Sequence, residues 1–96
     1  MHRPYKIKIT GFAKRDFKAI PKQNRPAILA AVEGLKRDPR PPGAEALRGD
    51  LKGDLRIRVG SYRVIYRVFD KKHIVIVACV GARPDVYRKA KRARGA

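Results

Sequence analysis

A chain of 96 residues with 25 lysines and arginines against 8 aspartates and glutamates carries a formal net charge of +17. Its 44% hydrophobic content is too high for a disordered basic tail, so the charge decorates a globule, expected as one domain spanning 1–96 with one modest core. No apolar run approaches the roughly 18 residues of a membrane span, and no signal-peptide core opens the chain, so a cytoplasmic protein with no membrane partner is expected.

Tyr5 to Ile9 alternates apolar and basic residues, which predicts a first strand with one buried face. Thr10 then caps a first helix, along which Phe12, Ala13, Phe17 and Ile20 recur at helical spacing until Pro21 stops it. Asn24 is the predicted cap of a second helix. It tolerates Pro26 in its first turn and carries Ile28, Leu29, Val32 and Leu35 as an apolar stripe ending near Asp38-Pro39. Two helices so closely joined pack as an antiparallel pair, and their apolar faces need a sheet to cover. Arg40 to Gly43 is a loop. Glu45 to Gly53 continues irregularly, with Leu47 and Leu51 as anchors and Gly49 and Gly53 at tight turns.

Leu55 to Tyr66, LRIRVGSYRVIY, reads as a β-hairpin closed by the two-residue loop Gly60-Ser61. That loop sets Val59 against Tyr62, Arg58 against Arg63 and Arg56 against Ile65. Leu55, Ile57, Val59, Tyr62, Val64 and Tyr66 then share the core face, while Arg56, Arg58, Arg63 and Arg67 share the other. Directly opposed like charges destabilise by some tenths of a kcal/mol, a cost that an anion between them removes. The plainer alternative is a solvated face on which arginine stems cover the sheet.

The strand runs on to Phe69, and Asp70 to Lys72 turns the chain into Ile74 to Val80, which shows no alternation and should lie centrally in the sheet. Cys79 in this run, the single cysteine, can form no internal disulfide and is read as a small core residue. With only His2 and His73 besides, no metal site and no cofactor are expected. Arg83 follows the strand. Val86, Ala90 and Ala93 then mark one side of a short C-terminal helix, with Arg88, Lys89, Lys91, Arg92 and Arg94 on the other. The order β-α-α-β-β-β plus this helix makes a small α+β fold: a helical hairpin on one face of an antiparallel-rich sheet, arginines on the other. Such a basic face suits a single strand of nucleic acid.

These residues resemble the RelE toxins of the RelE/ParE toxin–antitoxin superfamily. The likeness rests on LKRDPRPPG at Leu35 to Gly43, Leu47-Arg48-Gly49, the hairpin, and VGARPDVY at Val80 to Tyr87, and it covers nearly the whole chain. It implies a ribosome-dependent endoribonuclease that cuts messenger RNA in the ribosomal A site and halts translation, with a cognate antitoxin as protein partner. By position it assigns the active site to Arg56, Arg58, Arg63, Arg83 and Tyr87; Arg56 and Arg58 stand where the best-known member has lysines. Without a metal, the ribose 2′-oxygen attacks phosphorus and leaves a 2′,3′-cyclic phosphate. Guanidiniums suit the role of phosphate and transition-state clamp, being poor bases. Arg83 is the candidate contact to the scissile phosphate, and Tyr87 is either a general base or a platform for a stacked base. Lys89, Lys91, Arg92 and Arg94 are candidate grips on ribosomal RNA. Two other readings remain: a ParE-like gyrase poison, and a non-catalytic RNA- or ribosome-binding protein.

Overall fold

The computed structural model describes residues 3–82, 84 and 86–95, the last three by backbone alone. Along the chain run β1 (Lys6–Ile9), α1 (Gly11–Ala19), α2 (Arg25–Gly34), β2 (Glu45–Ala46), β3 (Leu55–Val59), β4 (Tyr62–Phe69), β5 (Ile74–Gly81) and α3 (Val86–Gly95). The five strands form one sheet in the order β1-β5-β4-β3-β2. All pairings are antiparallel except β1 with β5, which run parallel. The helical segment between them supplies the crossover that a parallel pair needs.

The central hairpin has the predicted register: Arg56 opposite Ile65, Arg58 opposite Arg63, Val59 opposite Tyr62. Gly60 sits at φ +61 in the first loop position, a conformation that costs glycine nothing. One face of the sheet is covered by α1 and α2, and Ala13, Ile20, Ile28, Val32 and Leu35 close over Ile57, Val64, Tyr66, Val75 and Val77. Burial of side chains this size contributes about 1.5–3 kcal/mol each. The Tyr66 hydroxyl donates to the Pro39 carbonyl at 2.7 Å, and burial pushes its pKa up to about 12.

The opposite face holds a second, smaller core that the sequence pattern did not reveal. Leu51, Ile65, Cys79, Val86 and Ala90 form it, with Leu47 and Tyr87 packed alongside. Its existence depends on an irregularity in β5. Ile65 opposes Cys79 while Tyr66 opposes Val77, so Ala78 is an extra residue and the alternation slips by one. Val75 and Val77 face the helical hairpin, yet Cys79 faces α3.

Three expectations are corrected. Leu29 is 48% exposed: Ile28, Val32 and Leu35 form the buried stripe, and Leu29 falls off it, lining a 270 Å³ apolar groove with Ile9, Phe17 and Val32. Asn24 precedes α2, but its side chain makes no capping bond, because a short 3-10 turn over Lys22–Asn24 leads into the helix instead. Glu45 and Ala46 are not irregular; they form β2 against Arg56 and Leu55.

Candidate functional site

Strands β3 and β4 carry Arg56, Arg58 and Arg63 on the face shared with Ile65, as the two-residue side-chain period requires. Their surroundings differ. Arg58 is exposed and makes no ion pair with a described residue. Arg63 is half-buried and donates through Nη1 to the Ala82 carbonyl at 3.1 Å, bracing the chain as it leaves β5. Arg56 departs most from the expected free phosphate clamp. Its side chain is only 7% exposed, and its guanidinium pairs at 2.8 Å with Glu45, which is 70% exposed. The Nε atoms of Arg56 and Arg63 are both buried without a partner among the described residues. Arg58 and Arg63 oppose each other with no carboxylate between them among the described residues, an arrangement that favours an anionic acceptor.

Helix α3 lies across this face. Val86 and Ala90 are fully buried in the second core, and half-buried Tyr87 packs against that core. The Cys79 thiol donates to the Val86 carbonyl at 3.5 Å, and burial pushes its pKa up to about 12, so it is a packing group rather than a nucleophile. Gly81 lets the helix approach this closely: a Cβ there would meet Val86 at 3.2 Å. Lys91 pairs with Asp50 at 2.8 Å and Lys89 with Asp16 at 3.3 Å. Two of the four candidate grips on ribosomal RNA thus also tie the helix down, although they are exposed, as is Arg92. Arg83, Asp85, His2 and the Arg94 side chain lie outside the described residues.

The model for ParE toxins of type II toxin–antitoxin systems matches residues 7–87 of this chain. Toxin RelG of Mycobacterium tuberculosis is 37% identical over 91 residues, which span 90% of this chain and 99% of that protein. The chain belongs to the RelE/ParE family of type II toxins.

Toxin RelE of the same organism is 36% identical over 86 residues, 88% of each chain. Among solved structures, the M. tuberculosis toxin–antitoxin complex RelBE2 superposes with a TM-score of 0.78 at 31% identity, over 88% of this chain and 98% of that one. A doubly substituted Escherichia coli RelE in the free state gives 0.76 at 25% identity, over 93% and 96%. The helical hairpin, mixed five-stranded sheet and third helix are the fold of RelE toxins.

The folded chain brings two carboxylates, Glu45 and Asp16, to this candidate site. Glu45 was in view only as part of an irregular stretch; its pairing with Arg56 follows from β2, two residues too short to leave a periodic signal. Asp16 had a signal that went unused. It stands three residues after Ala13 and four before Ile20, both buried, so it is an acid on the apolar stripe of a helix otherwise rich in lysine and arginine. Among the described residues no group of histidine, cysteine, aspartate and glutamate is arranged to hold a metal ion.

Proposed function

We propose that this toxin is a ribosome-dependent endoribonuclease that cleaves messenger RNA in the A site. The observation that carries the reading is the opposed pair Arg58 and Arg63, on the sheet face that also holds Arg56 and that the helix of Tyr87 packs against. A row of guanidiniums kept at a cost to stability fits a phosphate whose charge rises as the 2′-oxygen attacks. Arg58 and Arg63 bind the non-bridging oxygens. Arg83, which follows β5, contacts the scissile phosphate. Glu45 is exposed beside Arg56 and accepts the 2′ proton, Arg56 serving to hold that carboxylate, and Tyr87 stacks on the message to splay it for in-line attack. As the P–O2′ bond forms the P–O5′ bond breaks, the leaving 5′-oxygen takes a proton from solvent while Glu45 returns its own to solvent, and the products are a 2′,3′-cyclic phosphate and a 5′-hydroxyl. The protein partner is an antitoxin, as in the RelBE2 complex and the RelE–RelB complex of Pyrococcus horikoshii.

Induction in growing cells, with the 5′ ends of cut messages mapped, tests the proposal. Cuts locked to the reading frame should vanish with Arg83→Ala and fall on the order of 10²-fold or more with Glu45→Gln. Growth arrest with intact messages and DNA-damage signalling would instead favour a gyrase target, the reading closest to the ParE name of the matching family model. Toxicity unchanged by Arg83→Ala and Tyr87→Ala would indicate a non-catalytic binder.

A further inference from the structure

We propose that Asp16 is a positioning residue of this site: its carboxylate, on α1, ties the end of β5 to helix α3 and so fixes Tyr87 on that helix. The inference rests on the nuclease reading for its kinetic consequence only. Strand β1 ends at Ile9, paired with Val77, so beyond that point this edge of β5 has no neighbouring strand. Residues of α1 take the place of one. The Thr10 amide donates to the Val77 carbonyl at 3.1 Å and the Thr10 hydroxyl to the Ala78 carbonyl at 2.6 Å, pinning the extra residue of the bulge. The same hydroxyl accepts from the Ala13 amide as the helix cap. Six residues on from Thr10, Asp16 Oδ2 accepts the Val80 amide at 2.9 Å, and Oδ1 holds the Lys89 ammonium at 3.3 Å.

The Asp16 side chain is only 13% exposed, so leaving that carboxylate or the Val80 amide without its partner carries a desolvation cost that a surface pair would not. The chain from Val80 to Lys89 is held at both ends by this one carboxylate. Tyr87, which packs on the second core within that segment, is located by it. Such a residue touches no substrate, but errors of about 1 Å in a catalytic group cost up to about 10²-fold in rate.

Amide exchange and single-turnover cleavage on programmed ribosomes test this with the full chain. In Asp16→Ala the Val80 amide and the α3 amides should exchange about tenfold faster or more, and kcat should fall about tenfold or more while KM for ribosomes stays within about twofold. Asp16→Asn, which keeps an acceptor for Val80, and Lys89→Met should each lose part of kcat with a smaller drop in melting temperature than Asp16→Ala. Their double variant should be no worse than the poorer single. A protected Val80 amide in Asp16→Ala overturns the proposal, as does full kcat in both milder variants. So does a rise in KM alone with Lys89→Met, which would make Lys89 a ribosome contact. Should Asp16→Ala not fold, the two milder variants carry the test. Should the wild type leave ribosome-bound message uncut, the nuclease reading fails and amide exchange alone decides whether Asp16 is the anchor.

Discussion

Arg58→Gln should make the toxin more stable and less active. Arg58 lies directly opposite Arg63 and has no ion pair among the described residues to offset the repulsion. Opposed β carbons sit about 5 Å apart, and the guanidiniums can splay to about 7 Å, where two unit charges in water repel by about 0.6 kcal/mol. At about 0.15 M salt, a Debye length of about 8 Å cuts this to about 0.25 kcal/mol. Glutamine keeps much of the stem and removes the charge, so the variant should melt about 2–5 °C higher at low ionic strength, given about 4–8 °C per kcal/mol for a domain this size. The gain should halve at physiological salt. Cleavage of ribosome-bound message should fall on the order of 10²-fold. Calorimetry across a salt series, alongside the cleavage assay, reads both effects. A variant that melts lower than the wild type, or a difference that grows with salt, would refute the argument that the pair is kept for its ligand at the expense of the fold.

Ile65→Ala removes a fully buried side chain from the small core beneath α3, and should cost about 2–5 kcal/mol in urea unfolding with an unchanged slope; a loss below about 1 kcal/mol would mean that α3 collapses into the gap. Asp70 accepts from both guanidinium nitrogens of Arg40 at 2.9 and 3.0 Å and from the Tyr5 hydroxyl at 2.8 Å, and these bonds, Arg40 first, hold its pKa down at about 2. Because the folded value lies below the unfolded one, this cluster stabilises fully above the ordinary carboxylate range and is lost as pH falls towards about 2. Carboxyl NMR should find that midpoint in the wild type and a higher one in Arg40→Met; an ordinary midpoint in the wild type would dissolve the cluster.

The sequence by itself determined whatever depends on neighbours in the chain. Gly60-Ser61 dictated the hairpin register and hence which arginines face each other, since a two-residue loop leaves one pairing open. Thr10 marked the start of α1 because a cap acts within one turn. The unbroken run at Ile74 to Val80 announced an interior strand, and β5 lies between β1 and β4. Only the tertiary structure decided what depends on contacts between distant segments. The extra residue at Ala78, invisible in an evenly apolar run, turns Cys79 towards α3 and so creates the second core. The pairing of Glu45 with Arg56 requires a two-residue strand, and the grip of Asp16 on Val80 and Lys89 requires that β1 stop where it does. Local conformational preference reaches a few residues, while a buried carboxylate answers to whichever backbone amide the folded sheet leaves unpaired.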